Sequence, residues 1–416
     1  MTLLFRLIGA IVESLAPMRL ALVGLGGGVL AVWLVACSSG PTPHLTDAGQ
    51  GAVASQSNTT GTSEGLDLSG WDAQPLPPPR QQANSRWVAV RWQELPGFSG
   101  PAVWQMADAE VWSVWLRNCE HPSAAMKPLC PELKGLTAAS AQARMRWVLA
   151  HFQPYRVESL AGQSQGLLTA YYEPVLQARR QAGGGFSVPL YQPPAGLNAR
   201  NPWFTRQQID TLAEAQTALR GREIAYLSDP VAAMVLHIQG SGQLQLTEPD
   251  GSSHRVRLAF AGTNGQAYQS IGRWLLDQGL TQDASWPGIR QWLLQNPQRS
   301  QELMWKNPRY VFFKEQKLTG QASDLGPVGA QGLALTAGRS IAVDPRSIPY
   351  GTPAWLVSLG PTAQLQKMVF AQDTGSAIQG AVRADYFAGS GDAAGELAGR
   401  LKQTLSLWVL WPRETR

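Results

Sequence analysis

Lys367-Met368-Val369-Phe370-Ala371-Gln372-Asp373-Thr374-Gly375 is a short apolar run that ends abruptly on a carboxylate and a glycine. Apolar residues at this length predict a buried strand, and Gly375 supplies the freedom for a sharp turn after it. Asp373 therefore falls at a sheet rim, where a solute can reach it. After Gly380 the chain folds back into Arg383-Ala384-Asp385-Tyr386-Phe387. Two carboxylates on adjacent elements are the minimum for glycoside chemistry, one kept protonated and one ionised. The same two residues would also serve as turn caps that accept backbone N–H groups, and the local sequence leaves both readings open. Asp344, before Pro345, opens a turn and is assigned a structural role.

Around this segment the last third of the chain alternates short strands with Gly and Pro turns, at 334–337, 340–343, 354–357, 367–372 and 407–411, with a helix at 393–403. That texture predicts a small β-barrel. Upstream, helical patterns occupy 102–117 and 138–152, the second with Thr137 as N-cap. Strand signals resume after Gly166 and continue at 186–191, 231–239, 243–246 and 255–260. Thr205 and Gln208 form a capping box, and helices are expected at 269–277 and 288–295. The fold class is mainly β with accessory helices.

The N-terminus has a different texture. An apolar run from Leu20 is broken by Gly26, Gly27 and Gly28 and stops at Leu34-Val35-Ala36-Cys37, the pattern of a lipoprotein cleavage site. Met18-Arg19 makes a conventional start for such a signal. Residues 1–36 are expected to be a signal peptide and Cys37 the lipidated end, which makes the membrane a partner through that lipid. Ser38 and Ser39 lack the aspartate of inner-membrane retention, so an outer-membrane lipoprotein facing the periplasm is expected. From 37 to 85 the composition is Ser, Gly, Thr, Gln and Pro, a flexible tether. Cys119 and Cys130 are expected to form a disulfide in that oxidising compartment, adding about 2–3 kcal/mol by restricting the unfolded chain.

Elimination narrows the chemistry. The five histidines, His44, His121, His151, His237 and His254, show no metal-ligand spacing, so no metal is expected. Nucleophile-elbow and nucleotide-binding glycine motifs are missing, so no cofactor is expected. A net charge of +5 is spread without a basic block, so no nucleic-acid partner is expected.

With these residues in view, the chain resembles the membrane-bound lytic murein transglycosylase A family. Asp344, Asp373 and Asp385 are similar to its three-aspartate domain. Leu168-Thr169-Ala170-Tyr171-Tyr172-Glu173-Pro174, Gln239-Gly240-Ser241-Gly242, the segment from Ala261 to Gly272 and Asn307-Pro308-Arg309-Tyr310-Val311-Phe312-Phe313 resemble family motifs in family order. The resemblance covers about 150–412. It implies a double-psi β-barrel with an inserted second β-domain and a groove between them for peptidoglycan glycan strands. The implied division is a helical part of the barrel domain at 86–165, the insert at 166–305 and the C-terminal barrel part at 306–416. It further implies that Asp385 is the catalytic acid/base and Asp373 the second catalytic aspartate. Thr169, Tyr171, Gln239, Ser241, Asn264, Tyr268 and Ser270 are expected to contact substrate. Tyr386, Phe387 and Asp373 are candidate causes of a raised Asp385 pKa. Where the family often has a short neutral residue, this chain has Glu173. An inverting hydrolase on the same barrel and a wall-binding lipoprotein without activity are the alternatives.

Overall fold

The structure, a computed structural model, describes residues 69–414 except Ser99, Arg200 and 319–324. The expected signal peptide, Cys37 and most of the tether lie outside the described residues. The tether expected to reach residue 85 gives way earlier to structure. A turn of helix at Ser69–Asp72 is held where the Asp72 carboxylate accepts the backbone N–H of Trp92 at 2.9 Å. Trp71 packs on the core beside it.

In chain order, β1 (Arg80–Gln81), β2 (Ser85–Ala89), β3 (Phe152–Ser159) and β4 (Gly166–Glu173) belong to one sheet. Next, β5 (Val175–Arg179), β6 (Val188–Tyr191), β7 (Glu223–Leu227), β8 (Gly242–Thr247), β9 (Ser253–Thr263) and β10 (Val311–Lys317) build a second. The chain then returns to the first sheet with β11 (Ser340–Val343), β12 (Pro353–Leu359), β13 (Gln364–Asp373), β14 (Arg383–Ser390) and β15 (Lys402–Pro412). Strand β15 pairs with both β12 and β4, so β15-β12-β13-β11-β14-β4 closes into a ring, the barrel expected from the sequence. Closure leaves no edge in that ring to recruit other chains. By strand pairing, β4 completes the barrel, and β10 pairs along β9 of the second sheet.

Ile341, Val343, Leu356, Val369, Leu405 and Leu407 fill the barrel core. A second cluster lies outside it, where helices Ala109–Asn118 and Ala141–His151 stack Trp115 and Trp147 on Phe152, and Trp115 on Phe370 of β13 at 5.3 Å. The second of these helices is capped by Ser140, whose hydroxyl accepts from Ala143 N–H, and not by Thr137. Cys119 and Cys130 are joined as expected, closing the chain just past the first helix.

Two strand expectations fail. Residues 334–337 form only an isolated bridge between Val328 and Ala334. The apolar run at 231–239 is a helix, Pro230–Gln239, capped by Asp229 and ended by Gly240 at φ 80°. It read as a strand because both of its sides are buried. Leu236 faces the core of the second sheet, while Met234 and Val235 face a helical cluster with Leu275 and Trp292. Its Asp-Pro start and Gly end were the discriminating signals.

The two sheets meet at Glu173, the last residue of β4, which is fully buried. Arg257 of β9 reaches its carboxylate with Nε at 2.5 Å, Gln243 of β8 donates at 2.8 Å and Ser390 of β14 at 2.9 Å. Truncating Glu173 would leave a buried guanidinium without its main counter-charge. Urea unfolding of Glu173→Ala should therefore show a loss of about 3–5 kcal/mol. Glu396→Ala, which removes only a surface pairing with Arg400, should cost under about 1 kcal/mol.

Candidate functional site

Strand β11 sets the site. Its Ala342 is the ladder partner of Asp373 on one side and of Asp385 on the other, and Asp385 is in turn partnered by Thr169 of β4. Ladder partners share a face, so all four side chains lie in one row across adjacent strands. The row exists because of a β-bulge. Ile341 pairs with Ala371, yet Ala342 pairs with Asp373, so Gln372 is the extra residue of β13. Without it, Asp373 would turn to the opposite face. Buried Gln372 is held by Ser340, whose hydroxyl donates to its Oε1 at 2.6 Å, and it donates to Asn118 Oδ1 at 2.7 Å.

The two carboxylates are partnered unequally. Asp373 has both oxygens occupied: Oδ1 accepts Ala330 N–H at 3.0 Å and Oδ2 accepts the Tyr171 hydroxyl at 2.8 Å. For Asp385, Arg383 donates to Thr169 Oγ1 at 2.8 Å, and the Thr169 hydroxyl donates onward to Oδ1. Its Oδ2 has no protein partner among the described residues. Burial pushes both carboxyls above the ordinary range. For Asp385 the Thr169 bond and the Arg383 charge oppose that shift, while the Asp373 charge adds to it. Hydrogen bonds from Thr374, Tyr171 and Ala330 pull Asp373 back. Tyr171 packs on Phe387 at 5.3 Å, closing one side of the pair. Tyr386, expected to act on Asp385, lies on the other face of β14, where its hydroxyl donates to Gly338 O.

Both aspartates line a cleft of about 730 Å³ whose other wall comes from the second sheet and its flanking loops. Tyr171, Gln239, Ser241 and Tyr268 line it, whereas three other candidates are engaged elsewhere in the fold. Thr169 stands behind Asp385. Asn264 is buried, its amide donating to Phe204 O and Pro308 O and its Oδ1 accepting Tyr310 N–H, so it ties loops together. Ser270 caps helix Ile271–Asp277 through Arg273 N–H. Asn and Ser in a turn before a helix were the signals for those jobs. Asp344 is buried on Arg346, Asn84 and the Gly380 N–H, which hold its carboxyl far below the usual range. It fixes the loop between the two aspartates. Sequence reasoning missed Arg383, Ala330, Arg309 and Lys314. Arg383 carried a signal, two residues before Asp385 on the same strand face, and Arg309 one, inside a motif of the resemblance.

Fold and site together define a class of protein: a closed barrel interrupted by a second β-unit, with a carboxylate pair in the cleft between them. Residues 167–314 match the MltA specific insert domain and 339–411 match the 3D domain. A membrane-bound lytic murein transglycosylase A of Vibrio cholerae is 32% identical over 277 residues, 63% of this chain and 70% of that protein. Among solved structures, the lytic transglycosylase LtgG of Burkholderia pseudomallei is 38% identical, with a TM-score of 0.54 over 82% of this chain and all of that one. MltA of Neisseria gonorrhoeae is 30% identical, with a TM-score of 0.66 over 82% and 97% of the two chains. The chain belongs to the membrane-bound lytic murein transglycosylase A family.

The two charges that act on Asp385 make its titration testable. Followed by side-chain carboxyl NMR, Asp385 should titrate above the ordinary carboxylate range. Asp373→Asn removes a repulsive charge and should move that titration to lower pH. Arg383→Gln removes an attractive one and should move it higher.

Proposed function

We propose that the protein is a lytic transglycosylase that cleaves the β-1,4 bond between N-acetylmuramic acid and N-acetylglucosamine in peptidoglycan, with Asp385 as the single acid/base. The unequal partnering of the two aspartates carries this reading. A general acid needs an oxygen open to substrate and a carboxyl that keeps its proton more readily than usual, and Asp385 has an Oδ2 without a partner among the described residues and a carboxyl raised by burial. Asp373, with both oxygens engaged, suits an orienting and charge-tuning role.

Asp385 would protonate the glycosidic oxygen as the bond to muramyl C1 breaks. The C6 hydroxyl of the same sugar then closes on C1 and returns a proton to Asp385, giving a 1,6-anhydromuramyl end without water. The nucleophile is tethered to the substrate, so positioning replaces capture of a water. The Arg383-Thr169 relay fixes Asp385 Oδ1 and leaves the second oxygen for both proton transfers.

Export and lipidation at Cys37, with the head facing the periplasm from the outer membrane, belong to the same proposal. Among the described residues no helix is long and apolar enough to cross a membrane. The cleavage-site pattern at Cys37 and the polar stretch after it support tethering by lipid.

Digestion of purified sacculi tests the reading. The wild type should release muropeptides one water lighter than hydrolysed reducing ends, and Asp385→Asn should lower the rate by about 10²–10⁴-fold. Release of reducing ends alone would assign the cleft to an inverting hydrolase. Unchanged lysis by Asp385→Asn would remove the residue from catalysis.

A further inference from the structure

We propose that the cleft wall built by the second sheet binds a carboxylate on the muramyl substituents of the glycan, through Arg309 and Lys314. The proposal rests on the peptidoglycan reading above and adds the charged part of the substrate to it. Arg309 lies two residues before β10, Lys314 lies on β10, and both line the cleft that contains the aspartates.

Among the described residues Arg309 has no counter-charge, whereas several other arginines of the fold do. Arg180 is bound by Glu248 and Glu315, Arg339 by Glu110, Arg346 by Asp344 and Arg257 by Glu173. Among the described residues, the side-chain nitrogens of Arg309 and Lys314 meet no acidic group and no hydrogen-bond acceptor. Arg309 is half-buried, and burial alone pulls its pKa down, with no carboxylate opposing that shift. A partly desolvated guanidinium without an anion is a cost that a bound carboxylate offsets through charge-assisted hydrogen bonds.

Two neighbouring groups on this wall present donors. His237 lines the same wall, and its Nδ1 lies 3.0 Å from an Arg206 nitrogen. Arginine only donates, so Nδ1 must accept and the ring proton sits on Nε2. That Nε2 is buried without a partner among the described residues. The same Arg206 nitrogen donates to the Arg309 carbonyl at 2.6 Å, tying the His237 ring to the backbone of Arg309. Gln239 has its Oε1 occupied by Tyr172 N–H at 3.0 Å, so its amide offers N–H to the cleft. Sugar hydroxyls both donate and accept. Two cations without a counter-charge among the described residues, set beside these donors, match a carboxylate better than a neutral hydroxyl. In peptidoglycan, carboxylates come from the peptide stems or, on strands stripped of stems, from the lactyl groups of muramic acid. A neutral chito-oligosaccharide has none.

The test is the Arg309→Gln/Lys314→Gln double variant, with its thermal melt compared with wild type to confirm folding. Three ligands are used: stem-bearing strands, amidase-stripped strands and the neutral N-acetylglucosamine hexamer, with affinities from calorimetry and kcat/KM for the two strand types. Losing one or two charged hydrogen bonds should weaken affinity and kcat/KM by about tenfold or more. A loss on stem-bearing strands alone identifies the stem carboxylates, a loss on stripped strands alone identifies the lactyl carboxylate, and a loss on both shows that the wall takes either. Hexamer affinity should stay within about twofold of wild type, and added salt should weaken wild-type strand binding more than that of the variant. Equal losses on hexamer and strands, or no loss on either strand type, would overturn the proposal. If wild type forms no anhydro ends, the catalytic reading fails separately, because the affinities alone still decide whether the wall selects for charge.

Discussion

The buried pair of Glu173 and Arg257 governs the geometry of the cleft. The chain leaves the barrel at the end of β4 and starts the second sheet at β5 with only Pro174 between them, so the position of one sheet against the other depends on what is fixed at this corner. Glu173 takes bonds there from β8, β9 and β14 at once, which ties both sheets to one carboxylate. Desolvating such a pair is expensive, and its value lies more in specifying one arrangement than in net stability. Here the arrangement decides the width of the groove that Asp373 and Asp385 face.

A second chain of contacts reaches the site from the opposite side. The disulfide closes the loop that contains His121, and His121 and Gln331 exchange hydrogen bonds across 3.1 and 3.3 Å. Gln331 N–H is held by Gln372 O, and the adjacent Ala330 N–H is given to Asp373. The helical N-terminal part therefore buttresses Asp373, while the relay from Arg383 serves Asp385. The carboxylates are neighbours in space with separate support, which lets one be held firmly and the other keep an oxygen open.

Much of this was legible in the sequence. The barrel strands announced themselves because their apolar runs are short and punctuated, and strand 340–343 was placed to the residue. The aspartates stood out because carboxylates are conspicuous at the ends of apolar strands. What was not legible depended on the third dimension. The helix at Pro230–Gln239 is apolar all round because it is buried on two sides, so periodicity could not reveal it. Asn264 and Ser270 had the chemistry of sugar contacts, but the fold uses them to join loops and cap a helix. Arg309 falls within a motif quoted for the resemblance and Lys314 just past it, but nothing local set their charges apart, since what distinguishes them is the lack of acids near them among the described residues.

The bulge at Gln372 has a consequence for how the site tolerates change. Along a strand, facing depends only on whether a separation is odd or even, so the site reads the distance between Phe370 and Asp373 as a parity and not as a length. Loops between strands can gain or lose residues without altering which way a strand residue points. A single deletion at 371 or 372 inverts that parity for Asp373 while leaving the aspartate in the chain. A relative that kept every motif but lost that one residue would look intact by composition, yet its second carboxylate would face away from the cleft.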